Sequence, residues 1–518
     1  MGDCKYSPCG TRRAGTQAHI PAGTPAGGVT SCALENIRGR TPLRNVFFAA
    51  DRRLLVALAV AAAARAVPLA LGMEHYGDAP VRIELAEQWA KDPHLWRGYT
   101  ETHQYGPLHL TLIGLAIRVC GDRVFAARLL SLVCGLAGVW LLWRIARRER
   151  GADAAFLAAL GLALSPLHIQ ASTTGASEAV FLALFLGAID CALLDRAVAG
   201  AALLGAAGLV RYDGWLYVPL TGALLYLRRR DPWRALGFCA LAAAPALWWM
   251  WRNAVFSGDA LAPLRYIDQD HRALARMMLS WFGQVRWRAY ALVYWPLTVC
   301  DVATPLLGAL SLWGAARALR RRDAGWELVA LAWIPAAYFT FRAAVLADFR
   351  PLSRFALVAA TLSLPFAWAA LAPLRRAALA VAVAWPLALA LVSYGRDGGL
   401  AEWARPLSPI SSLPPGIAQA AQWLKVNARP TDVVLLDEVW HYADITLAFA
   451  SGLPQKQLLR LRWTDDFERR FPREPPTLAV AFDQGKLGVS DKDRFDFRGQ
   501  SFCRQARFLY ASIYRRCG

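Results

Sequence analysis

Apolar residues along this chain come in long unbroken runs, separated by short clusters of arginine, glycine or proline. A helix that spans a bilayer needs about 20 mainly apolar residues. The runs predict spans at 54–72, 123–145, 152–169, 178–195, 197–211, 213–227, 235–251, 291–316, 326–346, 354–373 and 377–394. The stretch 197–227 is too long for one helix and carries Arg211-Tyr212-Asp213-Gly214 at its centre. A single span would bury that Arg/Asp pair in hydrocarbon, which is costly, so a hairpin turning at Asp213-Gly214 is expected. Between the first two spans, Gly77-Asp78-Ala79-Pro80 has the grammar of a helix start, with Asp at the N-cap and Pro in the first turn. Val81, Leu85 and Trp89 then form an apolar stripe suited to a membrane surface. A second amphipathic piece follows at about 107–119.

Composition agrees with a polytopic membrane protein: the chain of 518 residues is 56% hydrophobic and 19% charged, too little charge for the surface of a soluble protein this long. The net charge of +20 would otherwise suggest nucleic acid, but no nucleic-acid-binding motif is present. The arginines instead fall in clusters between spans. With the hairpin, Arg52-Arg53, Arg147-Arg148, Arg228-Arg229-Arg230, Arg320-Arg321-Arg322 and Arg375-Arg376 all lie on one side, which the positive-inside rule makes the cytoplasm. The expected architecture is therefore an α-helical membrane protein of about eleven spans, residues 50–394, with an external loop at 73–122. Residues 1–45 read as a disordered cytoplasmic leader. The tail, 395–518, reads as a small extracytoplasmic α/β domain: Ile417–Val426 has helical character, while Asp432–Leu436, Thr477–Phe482 and Phe508–Tyr514 look like short buried strands. None of the ten cysteines has metal-ligand spacing, and Cys503 and Cys517 could pair in an exported tail.

Charges gathered at the water-facing ends of apolar spans, on one side, read as a site. Asp78 follows the first span, Glu178 heads a later one and Arg354 heads another. Asp78 is the candidate base, with helix capping as its alternative. Arg82, four residues on, shares its face, whereas Glu84 is about 240° round the helix and points elsewhere. Arg211 and Arg354 are the candidate cationic partners in this site, because a guanidinium presents a planar fork of donors, and Arg350 and Arg265 stand behind them. Ion pairs of Arg211 with Asp213 and of Arg350 with Asp348 are the plainer readings. Glu178 would orient the acceptor, tune Asp78, join it on a divalent cation, or simply cap its helix. Arg82, Glu101 and His103 are candidate loop contacts; His103 and His109 could be ligands or acid/base groups, but interfacial histidines are the plainer reading.

The order of these parts resembles the GT-C superfamily of integral membrane glycosyltransferases, in the branch of protein O-mannosyltransferases and lipid A aminoarabinose transferases. The resemblance rests on Asp78, then Gly106-Pro107-Leu108-His109-Leu110, Gly121 through Ala127-Arg128-Leu129, and Arg147-Arg148-Glu149-Arg150-Gly151. It continues with Ser165-Pro166-Leu167-His168 through Ser177-Glu178-Ala179, Leu209-Val210-Arg211-Tyr212-Asp213-Gly214, and Phe349-Arg350 through Ser353-Arg354-Phe355. Two positions depart from the pattern: Ala follows Asp78 where many relatives have a second acid, and Tyr105-Gly106-Pro107 stands in place of Lys-Pro-Pro. The resemblance implies a polyprenyl-phosphate sugar donor whose phosphate Arg211 and Arg354, with Arg350 and Arg265 behind them, would bind, a protein, lipid or polysaccharide acceptor hydroxyl, and inversion at the anomeric carbon. It leaves the sugar, the acceptor and the use of a divalent cation open. The competing reading is a transporter or flippase for a lipid-linked saccharide. Against it, the sequence shows no internally repeated halves, and its polar residues sit at span ends.

Overall fold

The computed structural model describes residues 51–372, 380, 384 and 410–518 apart from 412, 414, 440 and 441. The expected leader and, but for two residues, the 377–394 span lie outside the described residues. Helix α1 (Arg52–Leu71), capped by the Asp51 side chain, leads into a loop folded as α2 (Ala79–Lys91), the single turn α3 (Tyr99–Thr102) and α4 (Pro107–Cys120). The long α5 (Arg123–Arg150) is capped by Asp122, whose carboxylate accepts from the Phe125 N–H at 2.7 Å. Helices α6 (Ala152–Ala163) and α7 (Pro166–Ser172) form one apolar run bent by 63°. Pro166 has no N–H with which to continue the ladder, so carbonyls before it need other donors. Arg65, fully buried in the middle of α1, donates to Ala163 O at 3.0 Å, and His168 Nδ1 lies 3.2 Å from Leu162 O. A buried guanidinium thus completes the broken helix.

The chain continues as α8 (Ser177–Leu193), α9 (Ala197–Val210) and α10 (Tyr217–Arg229). The expected hairpin forms: Arg229 at the end of α10 meets Asp195, just before α9, at 3.3 Å, and the turn between is a tight helical segment, Tyr212–Leu216. Next come α11 (Pro232–Ser257), the amphipathic α12 (Ala262–Phe282), α13 (Gln284–Val302) and α14 (Pro305–Arg321). Here the sequence reading needs correction, because 291–316 is not one helix. Pro305 disfavours helical geometry in the residue before it, Thr304 takes a left-handed φ of 70°, and the chain folds back until Gly308 lies against the Cys300 backbone. Among the described residues the bundle continues with α15 (Trp326–Thr340), α16 (Leu357–Ser363) and α17 (Trp368–Leu371).

Among the described residues, four helical runs are long and apolar enough to cross a membrane: Arg52–Leu71, Arg123–Arg150, Trp326–Leu346 and Ser353–Leu371. The bent α6–α7 pair makes a fifth if it is one span. The chain is thus a multi-pass membrane protein. Its described arginine clusters lie at one end of the bundle, where Arg147 pairs with Asp51 at 2.8 Å, Arg53 with Asp153 at 2.7 Å, and Arg228 with Glu149 at 2.8 Å, whereas Arg375-Arg376 lies outside the described residues.

The C-terminal residues build a mixed six-stranded sheet: β1 (Val434–Leu436), β2 (Leu458–Arg460), β3 (Leu478–Phe482), β4 (Arg494–Phe497), β5 (Gln500–Arg507) and β6 (Ala511–Arg516). Their spatial order is β2-β1-β3-β6-β5-β4, with β1 parallel to both its neighbours and the rest antiparallel. Helices α18 (Pro415–Asn427), α19 (Ala443–Ser451) and α20 (Thr464–Arg470) connect and cover it. Cys503 and Cys517 form a disulfide. This sheet region grips the first loop: Met73 N–H donates to Ser411 O at 2.7 Å, Thr446 Oγ to Glu74 O at 2.6 Å, and Trp463 Nε1 to Glu84 at 3.0 Å.

Candidate active site

Asp78 sits at the N-cap of α2 but makes no capping hydrogen bond with its side chain. Its carboxylate accepts from Arg354 Nη1 at 3.0 Å instead. Gly77 makes this approach feasible: it has φ +52°, and a Cβ there would stand 3.1 Å from Arg354 Nη1. Arg354 lies 4.0 Å from Glu178, in the first turn of α8, and Glu178 in turn takes Arg211 Nη1 at 2.6 Å. Arg211 also meets Asp213 at 3.0 Å, so this ion pair does form, alongside the longer-range one. The result is a chain of alternating charge, Asp78–Arg354–Glu178–Arg211–Asp213, built from residues far apart in sequence. Arg82, buried, stands one turn beyond Asp78 with its guanidinium 4.1 Å over the Tyr105 ring and 3.4 Å from His109 Nδ1.

Two of the sequence motifs pack directly on each other. Gly106 lies so close to Leu209 O that a Cβ would be 2.1 Å from it, and Tyr212 donates from its hydroxyl to Tyr105 O at 3.0 Å. Trp249 Nε1 donates in turn to the Tyr212 oxygen at 3.0 Å. The Tyr-Gly-Pro start of α4 is therefore anchored on the turn that carries Arg211.

Other expected residues lie elsewhere. Arg265, two-thirds exposed, pairs with Asp259 at 3.3 Å, because its face of α12 points away from the cluster. Glu101 closes its own loop, accepting from Arg97 N–H at 2.7 Å with His94 3.4 Å away. His103 packs beside Trp463, ring centres 5.6 Å apart, and burial holds its pKa below the usual histidine value. Arg350 is buried, while Asp348, its expected partner, pairs with Arg342 at 3.0 Å. Glu84 points away from Asp78 as expected, into the tail, where Arg460 ion-pairs with it.

Sequence reasoning passed over Glu74 and the residues brought by the tail. Buried Glu74 binds Arg128 at 2.5 Å and accepts from Gly175 N–H at 2.9 Å, so it ties the Asp78 loop to the turn that leads into Glu178. The Tyr442 hydroxyl is 3.2 Å from that of Tyr105, and Arg462 covers the Tyr442 ring at 4.9 Å. Its position just after the first apolar run, as an acid at a span end like Asp78, was the one available signal for Glu74. Tyr442 gave none, since it reaches the site only through the tail's docking.

Electrostatics favour an ionised Asp78. Burial pushes its carboxyl pKa up, but Arg354, Arg82 and Arg211 outweigh burial and hold it below the ordinary value. Burial drives the Tyr105 hydroxyl well above its usual range, so it stays protonated. A divalent ion fits this donor set poorly. Mg²⁺ or Ca²⁺ takes oxygen ligands, whereas Asp78 and Glu178 are already engaged by guanidinium groups that supply positive charge themselves. Among the described residues no three His, Cys, Asp or Glu side chains converge as a metal site.

Residues 46–227 match the MptA/B family of alpha-(1->6)-mannopyranosyltransferases, over their N-terminal domain. Among solved structures, ArnT from Cupriavidus metallidurans bound to undecaprenyl phosphate aligns with 90% of this chain and 98% of its own, at 14% identity and a TM-score of 0.61. The apo state of the same ArnT aligns over 89% and 97%, at 15% identity and a TM-score of 0.59. No curated protein matches the chain significantly. The chain thus shares the ArnT fold over most of its length, and its residues 46–227 are similar to the N-terminal domain of the alpha-(1->6)-mannopyranosyltransferase family.

Proposed function

We propose that the chain transfers a mannosyl residue from a polyprenyl-phosphate donor to an acceptor hydroxyl, with Asp78 as general base. The observation that carries this reading is a carboxylate left free of capping and set 3.0 Å from Arg354, at the head of a linked row of acids and guanidinium groups. The matched family suggests mannose and an α-1,6 linkage, and ArnT bound to undecaprenyl phosphate suggests the lipid carrier. The donor phosphate takes the Arg354 and Arg211 guanidinium groups in bidentate fashion. That releases Asp78 to accept the acceptor's O–H proton as its oxygen bonds to the anomeric carbon. The anomeric carbon–oxygen bond breaks, and polyprenyl phosphate leaves with the electron pair, its charge stabilised by the same arginines. Attack opposite the leaving group inverts the anomeric centre. Glu178 orients the two arginines between which it sits.

The wider reading is an eleven-span inner- or plasma-membrane protein with a cytoplasmic leader at 1–45. Its arginine clusters face the cytoplasm. The 73–122 loop and the domain at 395–518, with its disulfide, lie outside, where such bonds persist. The test supplies purified protein with a panel of polyprenyl-phosphate sugars and measures released polyprenyl phosphate. Release from the mannose donor is expected, falling roughly 10²–10⁴-fold in Asp78→Asn while the protein remains folded. If no sugar donor is consumed, or the Asn variant turns over like the parent, the assignment fails.

A further inference from the structure

A cavity of about 460 Å³ opens at the arginine-rich end of the bundle, between the ends of α5, α8 and α10 and the loop before α15. Glu178 and Leu193 lie at opposite ends of α8, so about 22 Å of helix separates this cavity from the candidate active site. Leu193, Leu224 and Leu225 line its apolar side, and Arg228, Arg229 and Arg322 its polar side. The acids nearby are unequally committed. Glu149 and Glu327 both face Arg228, at 2.8 and 3.4 Å, so the exposed Arg229 and Arg322 are the guanidinium groups that these two acids do not engage. Arg229, 44% exposed, has Asp195 at 3.3 Å, and Asp195 is shared with Arg234 at 2.6 Å. Arg322 is exposed, lies 5.9 Å over the Trp326 ring and is joined on the rim by Asp323. The first turn of α15 also borders the cavity through Trp326 and Glu327, adding the positive end of a helix dipole.

We propose that this cavity binds the headgroup of an anionic phospholipid. Its phosphate lies between Arg229 and Arg322 at the α15 N-terminus, and the start of its acyl chains lies on the leucines. Basic pockets between transmembrane helices recognise such headgroups, and an apolar side continuous with an arginine rim suits an amphiphile better than a free anion. The rim tryptophan sits at the level expected of an interfacial ring.

The test is native mass spectrometry of the full chain in detergent, with phosphatidylglycerol or phosphatidylcholine added. Preferential retention of phosphatidylglycerol is expected. The double variant Arg229→Ala/Arg322→Ala, which alters only exposed side chains, should bind it roughly thirtyfold more weakly, at about 1 kcal/mol per arginine. Leu224→Trp, which fills the apolar side and leaves the arginines in place, should also lose the preference. Arg354→Gln should keep it, which separates this cavity from binding at the donor site whatever the fate of the catalytic reading. Equal retention of the two lipids, an unchanged preference in the double variant, or displacement of the lipid by inorganic phosphate would each overturn the proposal.

Discussion

Asp78 has two partners within reach, the backbone N–H groups of its own helix and the guanidinium of Arg354, and it takes the second. That choice sets its proton affinity. Burial alone would make it a stronger base and Arg354 makes it a weaker one, with the net effect below the ordinary value near 4. A depressed carboxylate contributes stability that is present above its unfolded pKa and is lost as pH falls through the folded one. The Asp78–Arg354 pair should therefore hold at neutral pH and give way only in acid. In Arg354→Gln the largest opposing pull disappears while burial remains, so the acid limb of the kcat/KM profile should move to higher pH. A limb that stays in place would show that Asp78 is not the group titrating. A donor phosphate on Arg354 acts in the same direction, so the acid limb of kcat should lie above that of kcat/KM. Asp78, Glu178, Arg211 and Arg354 were legible in the sequence because each is a charge at the edge of an apolar run, where solvation alone gives no reason for it. Arg265 and Glu101 looked similar, but their side chains are satisfied locally by Asp259 and by Arg97.

At the level of elements, α2 is held from both sides. One face carries Asp78 and Arg82 toward the bundle, and the other presents Glu84 to Arg460 on β2 and to Trp463. Glu84 and Arg460 are almost fully buried, and removing one member of a buried pair typically costs about 3–5 kcal/mol because the other is stranded. Glu84→Ala should therefore lower the unfolding midpoint and expose the tail to limited proteolysis, while Asp78→Asn should leave the tail as protected as in the parent. A Glu84→Ala protein as protease-resistant as the parent would mean the tail is held by other contacts. Hydropathy found the helices because length and apolarity are local properties. It missed the break at Thr304-Pro305 because the run is apolar on average, although Asp301 and Pro305 within it were the local signals of a turn. It also missed the β4–β5 hairpin, although Arg498-Gly499, both at positive φ, is the kind of turn that joins such strands.

For the molecule as a whole, the two ends differ in chemistry: arginine clusters paired to scattered acids at one, the alternating acid–guanidinium row and the docked sheet at the other. The orientation proposed from the arginines makes a direct prediction. Cysteines introduced at the exposed positions Arg230 and Leu95 should react with an impermeant maleimide from opposite sides of a sealed vesicle, Leu95→Cys from the extracytoplasmic side. Labelling of both from one side would reverse or break the topology. The sequence could place these ends because charge bias is written into short loops, but it could not show that residues more than 300 positions apart, Tyr105 and Tyr442, meet.

That meeting bears on how the protein matures in the cell. The segment with Asp78 leaves the ribosome early, whereas β2 and Trp463, which brace its helix, are synthesised hundreds of residues later, and β6 later still. An elongating chain can thus be fully inserted yet lack the clamp on its first loop. Enzymatic competence should then arrive in one step, at release of the finished polypeptide, and a nascent chain stalled short of β2 should be threaded through the bilayer but idle.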